Sequence, residues 1–279
     1  MLDECITPGD APAEPSRPPL DLSLLEESCT RRTAVGTAVR VLPATTSTND
    51  VCHQLGEAGH SGTAVLAEFQ ENGRGQHGRS WSAPERSAIL MSLLLRPPQE
   101  LDQPQFLTAW TAVCIARVLA RYHLAPQIKW PNDVLVDGYK ICGILVERRK
   151  ATVVGIGLNV SIRKEEFPSD LRVPATSLEI VTGKPVDRTG LVCEILNELD
   201  SALVHAQENG SEQLYESWED FSLHRPGDWV TAITADDQIV GTLMDLRPDL
   251  GASIRTSVSF THIAPPKLLR VENGPPVQS

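Results

Sequence analysis

No apolar run in the 279-residue chain approaches the roughly 20 residues needed to cross a bilayer, which excludes a helical membrane anchor. The first residues lack the basic-then-apolar order of a secretory signal. The six cysteines (Cys5, Cys29, Cys52, Cys114, Cys142, Cys193) form no Cys-x-x-Cys pair, and none sits at metal-ligand spacing from a histidine. That argues against a zinc site and a disulfide framework and favours buried thiols in a reducing compartment. The expected location is the cytoplasm. Positive charge is also short: 25 Lys and Arg against 36 Asp and Glu leave a net charge of −11. Phosphate neutralisation drives general nucleic-acid binding, so a nucleic-acid partner is not expected. There is no internal repeat. The length suffices for one large domain and one small one, with a core that needs no disulfides.

The densest chemistry lies between Glu68 and Trp81, in a loop between two apolar runs that read as strands, Thr63 to Ala67 and Ala88 to Leu95. Gly73, Gly75 and Gly78 allow positive φ and close backbone approach. Arg74 and Arg79 offer planar donor forks to a carboxylate or phosphate. Trp81 offers a flat face. Most Gly-rich loops between strands are only turns. The Gly73-x-Gly75-x-x-Gly78 spacing matches a dinucleotide fingerprint, but that fingerprint must lead into a helix and this loop leads into a strand. The remaining protein-kinase motifs are absent. Taken alone, the loop is a mobile cationic strip suited to an anionic ligand.

Elsewhere the pattern is mixed. Residues 1–30 are rich in Pro, Ala, Ser and acids and read as a disordered leader, with Leu20 to Leu25 able to form a short docking helix. Its length and charge leave no room for a DNA-binding domain. Val39 to Leu42 reads as a strand. A helix should follow to about Ala58, with Ser47 as its N-cap and Asp50 as the capping-box partner. Leu107, Trp110, Thr111, Cys114, Ile115, Val118 and Leu119 recur at helical spacing over Gln103 to Tyr122. Asp137-Gly138 between apolar runs signals a hairpin, and Pro131 should interrupt the strand before it. Gly155 and Gly157 share one face of a strand over Thr152 to Val160, leaving room for a ligand. A second long helix should start at Asp187 and a shorter one near Glu212. Short strands from Trp229 to Phe260 fit a small β-barrel.

Four marks occur in one order. They are Ser47-Thr48-Asn49; Gln70-x-x-Gly73-Arg74-Gly75-x-x-Gly78-Arg79-x-Trp81; Lys129-Trp130-Pro131-Asn132-Asp133 with Lys140-x-x-Gly143-Ile144-Leu145-Val146-Glu147; and Gly155-x-Gly157-x-Asn159. Together they closely resemble the biotin protein ligase family, from about Val39 to Phe221 and more weakly beyond. The resemblance implies an α/β (α+β) fold: a class II tRNA synthetase-like catalytic domain over 31–222, an SH3-like barrel over 223–272 and a tail over 273–279. It implies an ATP-dependent, AMP-forming ligase that uses biotin, ATP and Mg2+. Biotin would be activated to biotinyl-5′-AMP, then passed to a lysine of the biotin carboxyl carrier protein of acetyl-CoA carboxylase. No membrane partner is expected, and monomer and homodimer both stay open.

The same resemblance assigns roles. Ser47, Thr48, Asn49 and Gln70 would hold the ureido head of biotin. Gly143, Gly155 and Gly157 would form the floor beneath it, and Gly73, Gly75 and Gln76 would line the same site. Arg74 would bridge the biotin carboxylate and the α-phosphate, and Lys140 would stabilise charge at the carbonyl–phosphate bridge. Lys129 and Arg79 would face the phosphates, with Lys129 joining Arg74 and Lys140 as catalytic. Asn132 and Asn159 would place the nucleotide, and Trp81 would cover its adenine. No protein side chain is assigned a metal. Gln76 departs from the family, where many members carry a second arginine. It keeps a donor but lacks the charge, so the intermediate is either held less tightly or retained with help from Arg79 or His77. Two rivals differ in class. A lipoate- or octanoyl-protein ligase shares the fold but lacks this loop, and a non-enzymatic biotin-responsive regulator would need a basic DNA-binding domain.

Overall fold

A computed structural model describes residues 17–274. Its elements, in order, are α1 (Leu22–Cys29), β1 (Ala38–Leu42), α2 (Thr48–Glu57), β2 (Thr63–Ala67), β3 (Ala88–Leu95), α3 (Pro104–Arg121), β4 (Pro126–Lys129), β5 (Asp133–Val136), β6 (Tyr139–Arg148) and β7 (Thr152–Asn159). There follow α4 (Leu178–Thr182), α5 (Arg188–Asn209), α6 (Glu212–Phe221), β8 (Trp229–Ile233), β9 (Gln238–Arg247), β10 (Gly251–Arg255), β11 (Phe260–Ile263) and β12 (Arg270–Asn273). No helix among the described residues is long and apolar enough to cross a membrane.

Two sheets result. The larger runs β1-β2-β3-β7-β6-β5-β4, and only its β1–β2 pair is parallel. The smaller runs β11-β10-β9-β8-β12 and is antiparallel throughout. The strands at the centre of the large sheet, β3 and β7, are apolar runs buried along nearly their whole length. Such a run needs cover on both faces. Helix α3 packs on one side and α5 packs on α3, while α2 covers β2, β3 and β7 on the other. The expected α3 stripe is buried, and so are the residues between its members except Arg117, because α3 is enclosed by the sheet, α5 and α6.

The small sheet is fixed to the large one through Trp130. This side chain is 5% exposed, meets Trp218 edge-on at a centroid distance of 6.0 Å, and donates from Nε1 to the Leu268 carbonyl at 2.9 Å. The interface continues through Leu223, whose amide donates to the Ile128 carbonyl, and through His224, buried against the Val271 carbonyl.

Three expectations need correction. The leader is not disordered over its second half, where the expected short docking helix forms as α1: Asp21 caps it by accepting from the Ser23 and Leu24 amides, and Leu25 is fully buried. Amphipathic burial and a good cap outweigh the polar composition there. The leader's residues 1–16 lie outside the described ones. The tail begins later than position 273, because Asn273 pairs with Val230 and Gly274 donates to the Trp229 carbonyl; residues 275–279 are outside the described ones. Ser47 is the N-cap of α2 by backbone only, with no side-chain cap bond, and Asp50 turns instead to Arg74.

Arg17 ties the leader to the body through Glu166 and the Ser161 carbonyl. Burial opposes ionisation of Glu166, yet hydrogen bonds from Arg17 and Arg163 win and hold its carboxyl at about 2, below the usual 4.5. A folded pKa below the unfolded one gives stabilisation that is complete above about 4.5 and lost as pH falls toward 2. Proteolysis at the leader should therefore speed up across that acid window. Glu166→Gln should produce the same faster cleavage at neutral pH, read as nicking near Arg17.

Candidate active site

One cavity of about 100 Å³ opens where α2, the 68–81 loop, β6 and β7 meet. Local backbone bonds assemble it. The Thr45 amide donates to the Phe69 carbonyl, and the Glu71 and Asn72 amides donate to the carbonyls of Thr45 and Thr46. The start of the loop is thereby zipped to the segment leading into α2, which sets Gln70 beside Ser47-Thr48-Asn49. Gln70 Oε1 accepts from the Thr48 amide at 2.8 Å and from its hydroxyl at 3.0 Å.

The glycine-rich loop forms a small hairpin. Gly75 donates to the Arg79 carbonyl and Trp81 to that of Gly73, with His77 and Gly78 at positive φ at the tip. Gly73 is required by contact, since a Cβ there would lie 2.3 Å from the Trp81 carbonyl oxygen. Gly73 does not line the cavity, while Arg74, Gly75, Gln76, Arg79 and Trp81 do.

Lys140 reaches the cavity through a β-bulge. Val134 pairs with Cys142 but Leu135 pairs with Lys140, so Ile141 is the extra residue. In a regular strand, positions 140 and 143 point to opposite faces. The bulge puts them on one: a Cβ at Gly143 would lie 3.2 Å from Lys140 Nζ. Lys140 Nζ sits 2.5 Å from Asp133 Oδ1 and 5.5 Å from the centroid of Trp81.

The floor is built as the period-two pattern predicts. Gly143 pairs with Gly157, and Leu145 with Gly155. Their lack of side chains is used from above. A Cβ on Gly155 would lie 2.6 Å from Asn49 Oδ1, and one on Gly157 would lie 2.4 Å from the Trp81 ring. Trp81 thus lies across the glycine floor. Its buried Nε1 has no hydrogen-bond partner among the described residues.

Two more expected residues lie outside this cavity. Lys129 lines a smaller neighbouring cavity with Gln76, Arg79, Asn132 and Arg172. Asn132 and Arg79 line both cavities. Asn159 lines neither: it is 4% exposed and donates to the Thr176 carbonyl, so it braces the backbone.

Sequence reasoning missed Ser92, Glu147 and Asp50. Ser92 is fully buried on β3, opposite Gly155. Its hydroxyl donates to Asn49 Oδ1 at 2.6 Å and lies 2.6 Å from the Thr48 hydroxyl, whose single proton is shared between Ser92 Oγ and Gln70 Oε1. Asn49 Nδ2 donates to Glu147 Oε2 at 2.9 Å, and Glu147 also accepts from Arg74. A continuous polar chain therefore runs from Gln70 to Arg74. Burial works against ionisation of Glu147, but Asn49 and Arg74 hold its carboxyl below the usual range. The hydrogen bond from Arg74 does the same for Asp50. Burial pushes His53 down, so it stays neutral at pH 7, 3.4 Å from Glu147.

The arrangement can hold a neutral polar head group at one end and an anion at the other. Residues 41–162 match the biotin/lipoate A/B protein ligase family. The chain is 33% identical over 199 residues to the biotin–[acetyl-CoA-carboxylase] ligase of Mycobacterium tuberculosis, covering 67% of this chain and 72% of that one. It is 34% identical over 185 residues to the bifunctional ligase/repressor BirA of Bacillus subtilis. That match covers 63% of this chain and only 57% of the relative. The biotin protein ligase of Aquifex aeolicus, solved in complex with biotin and ATP, superposes with a TM-score of 0.73 at 28% identity, covering 84% of this chain and 97% of that one.

Proposed function

The chain belongs to the biotin/lipoate A/B protein ligase family, and from that premise we propose that it is a biotin protein ligase. It activates biotin with ATP to biotinyl-5′-AMP and transfers the biotinyl group to a lysine of a biotin carboxyl carrier protein. One observation carries this reading: a single cavity joins paired donors and acceptors, a glycine floor and three cations, Arg74, Arg79 and Lys140. A ureido ring needs the first, a flat bicycle the second and a carboxylate becoming an acyl phosphate the third.

In the first step a biotin carboxylate oxygen attacks the α-phosphorus and pyrophosphate leaves. The protein supplies no nucleophile. It aligns the two reactants and neutralises charge on the bridging and non-bridging oxygens. Lys140 and Arg74 act at the bridge, while Arg79 and Lys129, around the adjoining cavity, face the leaving pyrophosphate. Asn132, on the wall between the cavities, orients the nucleotide. No cluster of three or more His, Cys, Asp or Glu is arranged to hold a metal among the described residues; magnesium would enter with ATP on its phosphates and would neutralise charge there. In the second step the carrier's lysine amine attacks the acyl carbonyl and AMP leaves. Residues 31–222 would carry this chemistry and residues 223–272 would buttress it. The cytoplasm, where biotin, ATP and carrier meet, is the fitting location.

The cavity is smaller than the roughly 300–1,000 Å³ usual for such ligands, so Trp81 must lift from the floor to admit one. Gly157→Ala should block the return of the ring and narrow the site. We expect biotin to bind about 10–100-fold more weakly, the size of a small overpacking penalty, with altered tryptophan fluorescence. Unchanged binding would remove Gly157 from the floor.

A lipoyl ring has no urea to satisfy the Thr48, Asn49 and Gln70 groups, so lipoate should be a poor substrate. Incubation with MgATP and labelled biotin, octanoate or lipoate tests the reading directly. Biotinyl-adenylate is the expected product, and adenylation of lipoate alone would overturn it.

A further inference from the structure

Arg74 is saturated by the protein itself. Its Nη1 and Nη2 donate to the two oxygens of Asp50 at 2.7 and 2.8 Å. Its Nε and Nη2 donate to the two oxygens of Glu147 at 3.4 and 3.2 Å. A guanidinium has two edges that can grip a carboxylate with parallel bonds, the Nη1/Nη2 edge and the Nε/Nη2 edge. Both are taken, and a single Nη1 hydrogen is left over. Arg74 lines the cavity, yet it cannot grip an incoming carboxylate side-on until one of its partners lets go.

The two partners are not equally held. Glu147 is 20% exposed, accepts a further bond from Asn49 and lies beside His53. Asp50 is 32% exposed, and apart from Arg74 the nearest cation is Arg149, 3.8 Å from Asp50 Oδ1. The more exposed and less anchored carboxylate is the one that can exchange, and a second arginine stands ready to receive it. No other charged residue competes from beneath, since β2, β3 and β7, on which α2 packs, carry none.

We propose that Asp50 is a positioning residue that holds the outer edge of Arg74 as a stand-in for the substrate carboxylate and passes to Arg149 when biotin arrives. Glu147 stays in place and keeps the inner edge aligned with the polar chain that begins at Gln70. Binding then requires an exchange of like for like, carboxylate for carboxylate, so Arg74 is never left without a partner. It also favours ligands whose acid group reaches as far as Asp50 does now. This rests on the biotin ligase reading above.

The test is calorimetric titration of biotin, without nucleotide, into the full chain and into Asp50→Asn, Asp50→Ser, Arg149→Gln and Asp50→Asn/Arg149→Gln, each checked for folding by thermal unfolding. Removing the competing charge should tighten biotin about tenfold in both Asp50 variants, the scale of one charge-assisted pair. Arg149→Gln should weaken biotin about threefold in the otherwise unaltered chain and have no effect once Asp50 is Asn, because the recipient is then idle. A residue that merely stabilised the loop would, on substitution, weaken biotin or leave it unchanged, and either result in both folded Asp50 variants overturns the proposal. Equal losses from Arg149→Gln in both backgrounds overturn the transfer. Failure of the unaltered chain to bind biotin would defeat the ligase reading itself, and this proposal with it; binding that ignores Asp50 defeats only the latter.

Discussion

Lys140→Ala should lower the single-turnover rate of biotinyl-adenylate formation by about 10²–10³-fold, the loss seen when one preorganised charge-stabilising donor is removed. The geometry explains why one side chain counts for so much. The bulge at Ile141 aims Lys140 across the cavity, and Asp133 holds its ammonium in place. Little reorganisation is then needed when charge moves onto the bridging oxygen. Biotin binding should suffer far less than the rate, because the full charge develops only in the transition state. Lys140→Arg keeps the charge but spreads it over a longer planar group, and partial activity is expected. Lys140→Ala turning over at the unaltered rate, with label from biotin appearing in the adenylate, would strike Lys140 from the mechanism.

The second large effect is on stability. Arg188 is 5% exposed at the start of α5 and pairs with the equally buried Glu68. It also donates to the Pro18 carbonyl at 2.9 Å, while Glu68 accepts from the Leu20 amide. One ion pair therefore binds the leader, the base of the glycine-rich loop and the longest helix. Arg188→Met would leave a buried carboxylate with no counter-charge, a change that costs about 3–5 kcal/mol. For a chain of this size that is a fall in Tm of roughly 10 °C, measurable by calorimetry. Replacing both partners, as Glu68→Leu/Arg188→Met, should recover much of the loss, because no charge is then stranded. A double variant as unstable as the single one would show that the carbonyl and amide bonds, not the ion pair, carry the cost.

The strands and helices of the large sheet were legible because their periods are clean: the apolar run of β3, the stripe of α3 and the Asp137-Gly138 turn each point to one structure. Helix α1 was harder to read, since its cap and its buried Leu25 sit inside a segment whose composition suggests disorder. Strand β12 left no apolar signal, and pairing with β8 defines it. In the site, the motifs located the cavity, and both loop arginines do face it. What they could not give was the third dimension. Asn159 follows the glycine floor in sequence, but its side chain turns to Thr176. Trp81 closes the loop in sequence, but the hairpin folds it onto Gly157. Glu147, Ser92 and Asp50 belong to three separate elements, and only the strand register and the docking of α2 bring them together. The bulge that aims Lys140 also leaves no mark in the residue pattern.

The Lys129-Trp130 pair has a practical consequence. One residue faces the smaller cavity while the next anchors the C-terminal sheet through Trp218 and Leu268. A shortened protein stopping near residue 222 would uncover both indoles to water and slacken the segment that carries Lys129 and Asn132. Such a fragment should precipitate rather than serve as a minimal catalyst.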